Sequence, residues 1–123
     1  MKIAIPVKMN RENPPLAPLF GKAKWFAIIE NDSTEIVQNM QKGGRAVIDW
    51  LDSMNVNTII FQEMGHAPYE MIKEAGGIEL FHAGYERVLL DDALVKFKNN
   101  VLEKVDDRNI DAIIRHHEGK HSH

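Results

Sequence analysis

The apolar run Met1-Lys-Ile-Ala-Ile-Pro-Val7 is followed, after a proline-rich loop, by the stretch Pro18-Leu-Phe-Gly-Lys-Ala-Lys-Trp-Phe26. Residues 2–7 are typical of a buried strand, with Pro6 close to its end. The connecting loop is too apolar for a disordered linker, and loops of this length are commonly functional. We therefore expect the loop to fold over the end of a central strand, where a ligand would bind.

Strand-like and helix-like patterns alternate along the rest of the chain. The patterns predict strands over 24–30, 34–38, 58–61 and 78–81, and helices over 45–54, 66–75, 86–105 and around 110–114. Asn99-Asn100 marks a candidate break in the third of these helices. The order predicts a single-domain α/β fold, with a mixed sheet of about five strands flanked by helices, and with an initial hairpin as its antiparallel edge.

The composition excludes several classes of protein. A chain of 123 residues can form one domain with a real core, and without cysteine it forms neither disulfides nor clusters held by its own thiolates. A net charge of −3 argues against a general nucleic-acid binder. We expect a cytoplasmic protein without membrane contact, since the chain shows neither a signal-peptide pattern nor a run of about 18 apolar residues.

Three loops are expected to meet at one edge of the sheet. Ligands of open α/β sheets bind beyond the carboxyl ends of the strands, so the loops 8–22, 62–66 and 82–85 should converge there. The glycines that open the first helix could leave its N–H groups free for an anion, although an ordinary flexible turn explains them equally well. The candidate ligand-binding residues are Lys8, Phe20, Gly21, Lys22, Gly43, Gly44, Arg45, Met64, Gly65 and His66.

Histidines are the candidate metal ligands of the sequence, since imidazole suits iron, zinc and nickel. His66 follows the fourth strand and is a candidate metal ligand, with helix capping as the alternative; His82 is a weaker candidate. The carboxyl-terminal tract adds His116, His117, His121 and His123, which could bind nickel, zinc or copper or could form a solvated tail. Recognisable catalytic motifs, such as a nucleophile elbow or a zinc-protease pair, are absent, so we expect a protein that is not an enzyme.

Several of these stretches resemble the dinitrogenase iron–molybdenum cofactor biosynthesis family. The resemblance rests on the residues 2–7, on Phe20-Gly21-Lys22-Ala23-Lys24-Trp25-Phe26, on Gly43-Gly44 before a helix, on 56–60 leading to Gly65-His66, and on Gly77-Ile78. It covers roughly residues 1–102. We therefore divide the chain into a family-like domain, residues 1–105, and a short helix with a His-rich tail, residues 106–123.

The resemblance implies a ribonuclease-H-like fold with sheet order 3-2-1-4-5. It also implies an accessory protein that binds or carries an iron–sulfur or molybdenum-containing cluster as cargo, with nitrogenase or other metalloenzyme assembly proteins as partners. Many members carry histidine before Phe-Gly, whereas this chain has Leu19, so His66 or backbone amides would have to substitute. Two alternatives stay open, a small-molecule or anion-sensing module and a protein-interaction module with a metal-binding tail.

Overall fold

The centre of the fold is a six-stranded mixed sheet, whose strands, numbered in chain order, lie side by side in the order 3-2-1-4-5-6. The structure is a computed structural model that describes the backbone of residues 1–121 and the side chains of residues 1–119. Its elements are β1 (Lys2–Val7), β2 (Trp25–Glu30), β3 (Ser33–Gln38), α1 (Gly44–Ser53), β4 (Thr58–Phe61), α2 (His66–Ala75), β5 (Glu79–His82), α3 (Leu90–Lys98), β6 (Glu103–Val105) and α4 (Ile110–His121), with a 3-10 turn at Phe20–Lys22. None of these helices is long and apolar enough to cross a membrane.

The pairing of the strands makes the sheet mixed. Strand β1 pairs antiparallel with β2 and parallel with β4, and β4 pairs parallel with β5. The α/β class, the antiparallel hairpin edge and the order of the first five strands are confirmed. The ribonuclease-H-like assignment stays a prediction, because strand order alone does not establish it.

The predicted helix over 86–105 is wrong at both ends, and the sheet has six strands instead of five. Helix α3 ends at Lys98, and Asn100 adopts a left-handed φ of 59° that turns the chain back. Residues 103–105 then pair antiparallel with β5, with Val105 opposite Leu80. A strand of three residues is too short to show its own periodicity, so residues 103–105 were counted with the helix.

Two apolar cores lie on opposite faces of the sheet. Helices α1, α2 and α4 pack on one face, where Leu51, Ile72 and Ile113 join the buried rings of Phe26 and Phe61. Helix α3 covers the other face through its buried residues Leu90 and Ala93. Six aromatic residues on the strands and helices belong to these cores or pack against them: Trp25, Phe26, Trp50, Phe61, Phe81 and Phe97.

Candidate functional site

The end of the first loop is tied to the turn that follows β4. The N–H of Glu63 donates to the carbonyl of Pro18 at 2.9 Å, and the N–H of Phe20 donates to the carbonyl of Glu63 at 3.1 Å. Leu19 and Glu63 thereby form a parallel bridge. The loop therefore continues beside the chain that leaves β4, as two neighbouring parallel strands would.

The middle of the same loop is tied to the segment that follows β5. The N–H of Leu16 donates to the carbonyl of Val88, and the N–H of Leu90 donates to the carbonyl of Pro14, both at 2.9 Å. The structure thus brings together the loops after β1, β4 and β5. This convergence was expected, because the carboxyl ends of β1, β4 and β5 lie at one edge of the sheet.

A cavity of about 450 Å³ lies between the 3-10 turn, the turn after β4 and the start of α2. Its size falls within the usual range for small-molecule sites, about 300–1,000 Å³. Helix α4 closes one side. The lining residues are Leu19, Phe20, Gly21, Lys22, Glu63, Met64, Gly65, Pro68 and His117. Half of the ten residues proposed from the sequence are among them.

The two glycines of the cavity are not required by the backbone. Gly21 has no positive φ, and a Cβ atom placed on it would meet nothing within 4 Å. Gly65 has a φ of −81°, and the nearest atom to its Cβ position is Nε2 of His117 at 3.7 Å. The fold would accept alanine at either position. At both positions glycine leaves open space next to the backbone, and a ligand can use this space to approach the backbone closely.

The cavity combines features that attract an anion with one buried carboxylate. Helix α2 begins at the cavity wall and carries no acidic residue in its first turn, so its N–H groups and its dipole favour negative charge. Lys22 adds a cation to the lining of the cavity. Glu63 is the opposing charge, with a residue exposure of only 2%.

His117 from α4 lies beside Glu63. Its Nδ1 atom is 3.5 Å from Oε1 of Glu63, and its side chain is 28% exposed. Ile110, Ile113 and Ile114 bury one face of α4 in the core, which places His117 above Gly65. Within the described residues, no group of three or more His, Cys, Asp or Glu could hold a metal ion.

Four residues proposed for the site do not line this cavity, although they lie near the same end of the molecule. The side chain of His66 is 70% exposed, with Nε2 3.9 Å from Oε1 of Glu70. Arg45 is 3.5 Å from Glu74 of α2. The Cβ position of Gly44 lies 3.8 Å from Pro68, so the start of α1 lies close to the start of α2. Gly43 precedes it with a φ of 89°.

Lys8 is the fifth proposed residue outside the lining. It is exposed, and its N–H donates to the carbonyl of Pro15 at 3.0 Å. Its backbone thus belongs to the converging loops, while its side chain lies outside the group that lines the cavity.

His82 and His116 belong to an aromatic stack. The Nε2 atom of His82 is 2.8 Å from the carbonyl oxygen of Gln62, and burial lowers the pKa of His82. Tyr85 packs edge-on against His82 at 4.6 Å and stacks on His116 at 3.7 Å between ring centroids. Both imidazoles therefore contact Tyr85. The side chain of His121 and all of His123 lie outside the described residues.

Leu19 and Glu63 lie within the loops 8–22 and 62–66 that were expected to form the site, although they were not named as candidate ligands. Pro68 was not expected there, and His117 was proposed only as a metal ligand of the carboxyl-terminal tract. Glu63 carries a usable signal, because an acidic residue two positions after a buried strand must end near the carboxyl edge of the sheet. No comparable sequence signal places His117 at the cavity. Its position depends on how α4 packs, which no local pattern reveals.

A family model described as dinitrogenase iron-molybdenum cofactor matches residues 1–100 of this chain. An uncharacterized protein of Methanocaldococcus jannaschii is 31% identical over 114 residues, covering 85% of this chain and 91% of the relative. The matched residues include the first loop and the turn after β4. Strand β6 and helix α4 lie beyond the family match.

Solved structures share the fold. A NifB-like protein from Thermotoga superposes with a TM-score of 0.71 at 24% identity, covering 84% of this chain and 91% of that one. The apo form of the orange protein from Desulfovibrio gigas gives a TM-score of 0.74 at 16% identity, covering 85% and 92%. At these identities the likeness establishes the fold alone.

Proposed function

Because this chain belongs to the dinitrogenase iron-molybdenum cofactor family, we propose that it is a non-catalytic accessory protein that binds an iron–sulfur or molybdenum-containing cluster as cargo. The observation that carries the proposal is the cavity of about 450 Å³ at the meeting point of the first loop and the start of α2. The cluster is held without thiolates, since the chain contains no cysteine.

The chemistry of the lining supports an anionic cargo. Metal–sulfide clusters and thiomolybdates carry negative charge, and both Lys22 and the N–H groups at the start of α2 favour such charge. Gly21 and Gly65 leave space next to the backbone at two positions of the cavity lining. His117 and Met64 are the lining residues whose side chains offer nitrogen and sulfur donors.

The proposed cargo also suggests where the protein acts and which partners it has. We propose that the protein acts in the cytoplasm and exchanges the cluster with nitrogenase or with other metalloenzyme assembly proteins. The family assignment and the absence of cysteine support a carrier that releases its cargo, because no thiolate bond holds the cluster permanently.

Retention of a cluster by the purified protein tests the proposal. The protein is incubated without air with isolated iron–molybdenum cofactor or with a thiomolybdate cluster and passed over a gel-filtration column. We expect molybdenum in the protein peak, less of it for Lys22→Ala, and an unchanged amount for Lys24→Ala, an exposed lysine outside the cavity lining. Absence of molybdenum from the wild-type peak would contradict the proposal.

A second candidate, a sensor of small oxyanions, is favoured by the same helix start. The N-terminus of α2 faces the cavity and has no acidic residue in its first turn. A thermal-shift series with phosphate, sulfate, molybdate and nucleotides separates the two functions. A sensor gains thermal stability from one free oxyanion, whereas a cluster carrier responds to the cluster and gives a flat response to the panel.

A further inference from the structure

The two edges of the sheet differ in their protection against pairing with another strand. Strand β6 forms one edge with three residues, and its Lys104 forms an ion pair with Glu79 of β5 at 3.2 Å. Short length and charge are usual devices that stop a sheet edge from pairing. Strand β3 forms the other edge with six residues, contains no proline, carries Glu35 as its single charge, and pairs with β2 without a bulge. The β3 edge therefore lacks this protection.

Alternate residues of β3 point their backbone N–H and C=O groups away from β2. The N–H of Asn39 donates to the carbonyl of Lys24 at 2.8 Å, so Asn39 faces the β2 side. Because this direction alternates along an antiparallel strand, Thr34, Ile36 and Gln38 face the open edge. Within the part of the backbone that the structure describes, no other segment pairs with that edge. The edge thus presents a row of donors and acceptors to the solvent.

Apolar side chains lie on both faces of the sheet at this edge. Ile36 packs against the core that α3 covers, and Val37 packs against the core on the opposite face. Both side chains are only partly buried. A strand added beside β3 would cover their exposed parts, so pairing would gain apolar burial on both faces in addition to hydrogen bonds.

The sequence of β3 is complementary to itself in an antiparallel arrangement. In a pair of copies centred on Ile36, each Thr34 lies opposite Gln38 of the other copy. Each Glu35 then lies opposite Val37, so like charges do not face each other directly. A two-fold arrangement of this kind is closed, so it ends at a dimer.

We propose that this chain forms a homodimer in which β3 of one copy pairs antiparallel with β3 of the other. The two sheets become one continuous sheet, joined by about six backbone hydrogen bonds, two for each pair of outward-facing residues. The inference goes beyond cluster carriage. No residue of β3 lines the cavity of about 450 Å³, so the dimer and the cargo are tested separately.

Sedimentation equilibrium of the full-length protein over a range of concentrations, without any cluster, tests the dimer. We expect the average mass to rise with concentration from the chain mass of 14.0 kDa toward twice that value. Thr34→Pro should stay monomeric, because proline removes an N–H from the open edge that the pairing with β2 does not use. Thr34→Val, which keeps this N–H and a similar shape, is the matched control and should dimerise as the wild type does.

Two substitutions of Val37 test the register of the pair. Val37→Glu places a second carboxylate opposite Glu35 and should abolish the dimer. Val37→Lys places a cation there and should keep the dimer, with an association that weakens as salt is added. The two variants lose the same apolar side chain, so the sign of the new charge is the difference between them.

Hydrogen exchange of the wild type gives a second measurement that needs no variant. The amides of Thr34, Ile36 and Gln38 should become protected as the protein concentration rises. Urea midpoints establish that the variants are folded. A wild type that stays monomeric would leave the edge to a strand of a different protein and would overturn the inference. It would also be overturned by a Thr34→Pro dimer as stable as that of the wild type, or by equal masses for the two Val37 variants.

Discussion

The backbone N–H of Phe20 donates to the carbonyl oxygen of Glu63 at 3.1 Å, and this bond joins the first loop to the turn after β4. The two segments lie side by side in the lining of the cavity, so the bond holds their relative position. The side chain of Phe20 is fully buried next to Phe26, with ring centroids 5.7 Å apart. The shape of the site therefore depends on the core of the domain.

Gly43→Ala should destabilise the protein by about 1–3 kcal/mol, because L residues rarely adopt its φ of 89° with ψ of 153°. Urea unfolding at neutral pH measures the effect. Gly21→Ala is the control, since that position has no positive φ and open space around its Cβ. Equal stability of the two variants would show that strain at Gly43 does not matter.

Tyr69→Phe should lower the free energy of unfolding by about 1 kcal/mol, the usual value of a hydrogen bond. The Tyr69 hydroxyl donates to Asp107 at 2.6 Å, and burial together with that carboxylate raises the pKa of Tyr69. Urea midpoints of wild type and variant give the difference. An unchanged midpoint would mean that water replaces the bond at no cost.

The loss of stability between neutral and acidic pH should be smaller for Asp107→Asn than for the wild type. Hydrogen bonds from Tyr69 and then from Lys73 hold the pKa of Asp107 below its ordinary value. The ionised carboxylate therefore stabilises the fold at neutral pH, and this contribution disappears as the pH falls below about 4.

Urea midpoints between pH 7 and pH 2.5 test this dependence. At pH 7 the urea midpoint of the wild type should be higher than that of Asp107→Asn. The difference between the two midpoints should shrink as the pH falls to 2.5. Asp32→Asn serves as the control carboxylate, because its side chain is 94% exposed and lies 3.8 Å from Lys98. A gap that stays constant with pH, or one that Asp32→Asn reproduces, would contradict the assignment.

Leu19→His should increase the amount of cluster that the protein retains. Leu19 lines the cavity that also receives His117, so the variant offers a second imidazole to the same cargo. Leu19→Asn is the matched control, with a polar side chain that ligates poorly. Molybdenum content after anaerobic gel filtration is the measurement, and equal retention by the two variants would argue against imidazole ligation at this position.

Local patterns predicted the elements that have clear boundaries. Strand β4 and helix α2 were expected at 58–61 and 66–75, where the structure has them, because Asn57, Pro68 and Gly76 mark their ends. The meeting of the three loops followed from the parallel strands alone. Strand β6 was missed, because Val101 and Leu102 extend the helical spacing of α3.

The tertiary part of the site was beyond sequence reasoning. The amphipathic spacing of Ile110, Ile113 and Ile114 predicted a helix, but not the face of the sheet against which it packs. That packing brings His117 to Glu63, and it brings His116 to Tyr85. Conversely, His66 was favoured because it follows β4, yet its side chain is 70% exposed. The first residue of a helix fixes the position of the backbone and leaves the direction of the side chain open.

The molybdenum-to-protein ratio after anaerobic incubation with isolated iron–molybdenum cofactor tests the central claim most directly. Gly21→Trp is the blocking variant, because residue 21 lines the cavity and its Cβ position meets no other atom within 4 Å. We expect close to one molybdenum per wild-type chain and little in folded Gly21→Trp. A wild-type peak without molybdenum, or an equal ratio in the two proteins, would contradict cluster binding in this cavity.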